Sequence, residues 1–409
     1  MGDGGVFISR SFLRYWRATA VSGLGTYVTV FALQALVVLT LDGTAADVGW
    51  LNAARWLPYL TLGLVVGALV DGRRRLPLMV NTDLAQAVLL LLIPVLWWLE
   101  ALSMPVLLAV VFAYGTAAVV NMAATMSFLP RLVERGRLQP AHARVDGADA
   151  VSSAAGPALG GLLVTAVGAP FAVVVDSATY LYSALTLRRI EVDEPPPRTG
   201  VTARRLLGEI LDGVRWAYGA SGLRTLAIAT HGWFVGNAVV GVVLAPYAFL
   251  VLDLSAAEFG LVGAAGGVGA ALGAAITTAV GLRLGTGRTI ILCHLLTTSA
   301  VVTMTLAGQS SYAAWVLGLG QGIYGLAMGM SNSHEMSYRQ LVTPDALQAR
   351  TNTTLRSLNR AVVVVVAPLA GLLADAVGMQ TMLVVAAVAF GAVALGLAST
   401  SFRTVRAPT

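Results

Sequence analysis

The 409-residue chain is 57% hydrophobic and 11% charged, too little polar surface to enclose a soluble core, so composition points to a polytopic membrane protein. Its 26 basic residues are all arginine and give a net charge of +6, but they are scattered over short loops rather than clustered with aromatics on one face, which argues against a nucleic-acid interface. The single cysteine, Cys293, excludes an internal disulfide and suggests no cysteine-based metal site.

A helix needs about 20 apolar residues to cross a bilayer. Such runs occur at 18–41, 48–70, 76–99, 104–127, 147–168, 170–187, 223–252, 258–281, 288–308, 312–334, 356–378 and 379–402, which predicts twelve spans. The first follows a polar, basic segment with no cleavage signal and reads as a retained helix. Arg10, Arg14 and Arg17 precede that span, and arginines recur in every even-numbered loop: 73–75, 131–144, 188–224, 283–288, 339–360 and after 403. The odd-numbered loops carry no arginine but do carry Asp42, Asp47, Glu100, Asp253 and Glu258. Because basic residues stay on the cytoplasmic side, both termini are expected in the cytoplasm, with the protein multi-pass in a bacterial inner membrane. Only Arg55 lies away from that side.

The sixth loop is the one long soluble connection. Glu194 and the prolines at 195–197 break any helix, after which Ala203 to Tyr218 places Leu206, Leu207, Ile210, Leu211, Val214 and Trp216 near one face. A helix lying on the inner membrane surface is expected there. The resulting domains are a six-helix bundle at 1–188, a linker at 189–222 and a second bundle at 223–409.

Internal repetition supports that division. Ala46 and Gly49 recur as Ala257 and Gly260; Leu132-Val133 and Leu138-Gln139 recur as Leu341-Val342 and Leu347-Gln348; Gly161-Leu162-Leu163 with Gly168 recur as Gly371-Leu372-Leu373 with Gly378. Three matches at nearly one spacing imply two parallel six-helix repeats.

Gly67, Asp71 and the run Arg73-Arg74-Arg75 sit between the second and third spans, and Gly156-Pro157 with Gly160-Gly161 sit in the fifth. The first group resembles the signature loop of the major facilitator superfamily, and the second resembles that family's antiporter motif; the resemblance covers essentially the whole chain. Arg339 to Asp345 with Arg350 resembles the bacterial branch that exports drugs, macrolides and siderophores. The resemblance implies an all-α, twelve-helix fold of two six-helix repeats working by alternating access. It implies that Asp71 approaches the N-terminus of the eleventh span as an inner-face latch, and that the fifth-span motif accompanies export. Two departures are visible: Gly72 stands where the loop pattern has a basic residue, and Ser152 where the helix motif has a further glycine.

By the same resemblance, spans one, four, seven and ten line a substrate cavity. The polar and aromatic candidates there are Tyr27, Gln34, Tyr114, Asn121, His231, Trp233, Asn237, Gln321, Tyr324 and Asn332, in a largely apolar wall that suits a bulky amphiphile. For each of them an interhelical hydrogen bond is an equal alternative to ligand contact. Ionisable residues inside the membrane are functional candidates by default, which singles out Asp83, Asp149, Asp176, Glu335 and Arg55 for proton coupling or ion pairing; by depth, Asp176 is the expected partner of Arg55. Structural ion pairs without proton coupling are the alternative reading.

No cofactor or metal is implied: His334-Glu335 starts like a zinc-protease helix, but Tyr338 occupies the place of the second histidine, and no Walker sequence occurs. The expectation is a monomeric, non-enzymatic efflux transporter exchanging a hydrophobic or amphiphilic compound for protons. An importer of a small metabolite and a non-transporting membrane sensor are the alternatives.

Overall fold

The structure is a computed structural model that describes residues 9–71, 73–192, 194, 203–219 and 221–406. The described residues form helices α1 (Arg10–Ala35), α2 (Ala45–Asp71), α3 (Arg75–Trp98), α4 (Met104–Leu132), α5 (Leu138–Val167) and α6 (Ala169–Leu187). After α7 (Ala203–Gly219) come α8 (Ser221–Pro246), α9 (Ala256–Leu284), α10 (Thr286–Thr305), α11 (Ala313–Val342), α12 (Asp345–Val377) and α13 (Met379–Ser399). Ten helices among the described residues are long and apolar enough to cross a membrane. Helices α2 and α6 fall outside that set; α6 is only 19 residues long and carries Asp176, Ser177 and Ser183 on its buried side. The protein is a multi-pass membrane protein.

Helices reach beyond the apolar runs on one side only. α1 begins at Arg10, α5 at Leu138 and α12 at Asp345, while α11 continues to Val342. Their extra turns hold polar and arginine-bearing sequence that hydropathy does not register but that water satisfies equally well in helical form. The prolines at 195–197 lie outside the described residues, whereas the amphipathic helix expected after them is present as α7.

Several local features of one set, α1–α6, recur in a second set, α8–α13. π-helical turns close α1 at Leu36–Thr40 and α8 at Tyr247–Val251. Asp42 and Asp253, just beyond, both take positive φ, 51° and 54°. Gly168 and Gly378 each turn the chain in a single residue between consecutive helices with φ of 83° and 93°, a conformation that side chains oppose. Thr44 and Ser255 begin α2 and α9, each engaged by the carboxylate three residues on, Asp47 and Glu258, which satisfies otherwise orphaned N–H groups.

At the end bearing residues 41–44 and 252–255, the buried side chains of both sets merge into one cluster running through Leu36, Val48, Val243, Phe259 and Ala367. Toward the other end, burial divides. Phe12, Tyr15 and Phe128 form one cluster in α1–α6, while Leu226, Ile290 and Tyr338 with Phe402 form another in the second set. The two sets therefore share a buried core at the loop end and hold separate ones at the end carrying Ser9 and Arg406.

Two helix pairs join the sets at the loop end. α5 packs on α9 and α2 packs on α12, each through glycines that bring backbones together. Gly161 faces Ala256 and Gly260, and the ring of Pro157 faces Gly263. Correspondingly, Gly371 faces Ala45 and Ala46, and Gly49 faces Ala367 and Pro368. Asp375 completes the second seam by accepting hydrogen bonds from the backbone N–H of Ala45 and Ala46, each at 3.1 Å.

Candidate functional site

Beneath these seams lies a cleft between the two sets, lined by Tyr27 and Gln34 of α1, Pro157 of α5, Asn237 and Gly241 of α8, Phe259 of α9, and Gln321 and Tyr324 of α11. Its volume is about 230 Å³, just under the lower end of the roughly 300–1,000 Å³ of small-molecule sites. Most of the wall is apolar. Tyr324 donates to Asn237 Oδ1 at 2.7 Å and stacks within 6.2 Å of Trp233, while Tyr27 donates to the Asp149 carboxylate at 3.3 Å. Five of the candidates read from the sequence, Tyr27, Gln34, Asn237, Gln321 and Tyr324, are thus brought together here.

A second, more polar cleft of about 220 Å³ opens within the second set, between α8, α10, α11 and α12. It takes Trp233, Asn332 and Glu335 from the sequence candidates and adds Arg339, Arg356, Asn359 and Arg360. Glu335 is fully engaged: Arg339 Nη2 lies 3.1 Å away, Ser331 Oγ 2.7 Å and Thr230 Oγ1 3.2 Å.

Other candidates point elsewhere. Tyr114 and Asn121, seven residues apart on one face of α4, turn into the first bundle rather than toward either cleft. Tyr114 hydrogen-bonds Tyr180 at 2.9 Å, and Tyr180 in turn bonds Thr26. Asn121 Nδ2 donates to Asp83 at 2.6 Å, and Ser183 donates to the other oxygen of the same carboxylate at 2.6 Å. His231 is held between α7 and α12, with Tyr218 at 2.5 Å from Nε2 and Asn359 Oδ1 at 2.6 Å from Nδ1. Because an amide oxygen only accepts, Nδ1–H donates to Asn359. With the Arg350–Asp212 pair at 3.0 Å, this ties the linker helix to α12.

Arg55 and Asp176 do not form an ion pair within 4 Å among the described residues. Asp176 is completely buried against Gly25 of α1 and accepts a hydrogen bond from Thr179 at 2.9 Å, while its Oδ2 makes no hydrogen bond within 3.5 Å and the buried Thr29 hydroxyl of α1 lies beside the carboxylate. Arg55 instead turns to the aromatic face of Trp56, 5.3 Å from its centroid. Arg360 of α12 covers the same ring at 4.0 Å and approaches Tyr59 and Phe234. A charged side chain at membrane depth costs on the order of 3 kcal/mol, and a ring face returns about 0.5–2 kcal/mol.

The loop motif is resolved in part: α2 runs through Gly67 to Asp71, whose side chain lies outside the described residues, and Arg73 and Arg74 are exposed. The N-terminus of α3 is closed by a residue sequence reasoning treated only as a helix breaker. Glu194 accepts from the backbone N–H of Arg75 at 2.7 Å and of Leu76 at 2.8 Å, with Arg131 3.8 Å away. In α5, Gly156 faces Tyr27 and Gly160 faces Phe31, both on α1, while Pro157 and Gly161 face α9. The four-residue motif therefore packs one face within its own bundle and the other across the seam.

Residues 6–408 match the family model for transmembrane secretion effectors. A multidrug efflux pump, Tap, of Mycolicibacterium fortuitum is 31% identical over 222 residues, 52% of this chain and 53% of that protein; the match thus spans about half the relative's length. An uncharacterized transporter of the major facilitator type from Sinorhizobium fredii is 26% identical over 71% of this chain and 68% of its own. Among solved structures, the nucleoside transporter NupG superposes with a TM-score of 0.76 at 11% identity, covering 96% of this chain and 99% of that one. A bacterial homologue of the iron transporter ferroportin, in an inward-facing state, gives 0.74 at 14% identity over 95% and 98%. These likenesses establish the fold.

Proposed function

The chain belongs to the transmembrane secretion effector family of major facilitator transporters, and from that premise we propose that it exports a hydrophobic or amphiphilic small molecule in exchange for protons by alternating access. Transport, not catalysis, is its activity. In this reading, twelve spans form two six-helix halves, 1–188 and 223–409, joined by the linker 189–222, in a bacterial inner membrane with both termini in the cytoplasm. The carrying observation is the apolar cleft of about 230 Å³ between the two sets, with paired glycine seams above it and separate buried clusters below. That geometry fits a cytoplasm-open state with the substrate held near the midplane, and alternating access would exchange it for one in which the seams part.

Export is supported by the similarity to a multidrug efflux pump and by the placement of Pro157 and Gly161 at the cleft roof. Asp176 and Asp83 are the carboxylates best suited to carry protons, because each is buried with only neutral hydrogen-bond donors around it. Expression in a pump-deficient bacterium, followed by retention of the uncharged dye N-phenyl-1-naphthylamine and the anionic 1-anilinonaphthalene-8-sulfonate, tests the direction. Lower steady-state dye than in the vector control is expected; higher accumulation would indicate import, and no change across a panel of amphiphiles would remove the transport reading.

A further inference from the structure

We propose that the transported amphiphile carries an anionic head group, a carboxylate, sulfonate or phosphate, received by Arg55 of α2 and Arg360 of α12 over the ring of Trp56, with Arg356 one turn from Arg360. The inference rests on the export reading and names the substrate class for it.

Arg55 and Arg360 lie over one ring, 5.3 Å and 4.0 Å from its centroid, so their separation cannot exceed the sum of those distances. Arg356, one turn from Arg360, lines with it the cleft within the second set, and its contact with the sulfur of Met126 is a distant one, 4.0 Å. Each of these cations lies within Coulombic reach of Arg360, which adds repulsion to burial. Among the described residues, no carboxylate comes within 4 Å of any of the three. Of the acidic groups facing the region, Glu335 is engaged by Arg339, Ser331 and Thr230 and Asp149 by Tyr27, while Asp176 lies within Coulombic reach of Arg55 without forming an ion pair within 4 Å.

Stacking occupies the face of a guanidinium and leaves its N–H edges free to grip two oxygens of an anion. The apolar remainder of such a ligand would lie along Trp56, Phe234 and Trp233, which leads toward Tyr324 and the central cleft. Because Arg55 and Arg360 stand on the two helices of one seam, an anion between them would neutralise their repulsion and draw α2 and α12 together. Occupancy and closure would then be linked by charge.

The test uses the full-length protein in neutral detergent with a matched pair of probes, 1-naphthalenesulfonate and its uncharged sulfonamide, measured by calorimetry. At least tenfold tighter binding of the sulfonate is expected, falling tenfold or more in Arg360→Gln and in Arg55→Gln, with Arg360→Lys recovering part of the difference and the sulfonamide unaffected. Thermal midpoints of all variants are recorded; should Arg360→Gln not fold, Arg356→Gln and the salt dependence of the wild type give the same reading. Equal affinity for the two probes would overturn the proposal, and efflux of neutral amphiphiles in that case would leave the export reading standing. Repeating the titration in phosphatidylcholine nanodiscs with and without phosphatidylglycerol separates substrate from lipid: unchanged sulfonate binding is expected, and tenfold competition by the anionic lipid would assign the arginines to a headgroup and overturn the substrate assignment.

Discussion

Gly161 of α5 and Gly260 of α9 meet backbone to backbone: a Cβ on either would stand 3.0 Å from the Cα of the other. The relationship is reciprocal, and it recurs between Gly371 of α12 and the start of α2. Contacts of this kind let two halves close without side chains between them and part without breaking specific bonds.

Gly161→Val is therefore expected to reduce transport at least tenfold while leaving helical content and membrane insertion unchanged, because the nearest atoms are backbone and cannot yield. Gly318→Val, at a position with open space around it, serves as the control and should transport normally. Equal activity of the two variants would reduce the seam to ordinary packing.

Asp375 holds the N-terminus of α2 through two N–H groups, a charge-assisted cap of about 1–2 kcal/mol. Asp375→Ala should shift the equilibrium toward the state open at the loop end. With a cysteine replacing Gln34 in the central cleft, labelling by a membrane-impermeant maleimide from that side should speed up about tenfold, since 1.4 kcal/mol is a factor of ten. An unchanged rate would mean that the cap does not contribute to the seam.

Asp176 is buried, and one of its oxygens makes no hydrogen bond within 3.5 Å. If it carries the coupled proton, Asp176→Asn should retain substrate exchange between equal concentrations on both sides while losing uphill transport. Retention of both activities would exclude it as the carrier and leave Asp83 to be tested in the same way.

Glu194 caps α3 from the linker side and lies beside Arg131. Removing it in Glu194→Ala should lower the thermal midpoint by roughly 2–4 °C for each kcal/mol lost, with Glu191→Ala, on the exposed stretch nearby, as the comparison.

Hydropathy and arginine placement disclose the helices because they report where a chain meets lipid and where it meets water. They stop at the apolar boundary, which is why the aqueous turns of α5, α11 and α12 were not visible. The α5 motif was legible for a simple physical reason: close helix approach demands small residues at helical spacing, whatever they pack against. Polar residues within spans are harder to place. Gln34 and Asn121 look alike in sequence, yet one reaches the cleft and the other binds Asp83, since helix rotation is set by neighbours that periodicity does not name. Arg360 gave no separate signal among the basic residues near the inner ends, and its meeting with Trp56 depends on two helices some three hundred residues apart in sequence.

The central claim, proton-driven export, is tested most directly in inside-out vesicles carrying the purified, reconstituted protein. With an inward-acid pH gradient imposed, an amphiphilic probe should accumulate inside, and a protonophore should release it. Accumulation that persists after the gradient is collapsed, or movement of the probe in the opposite direction under the same gradient, would contradict the account.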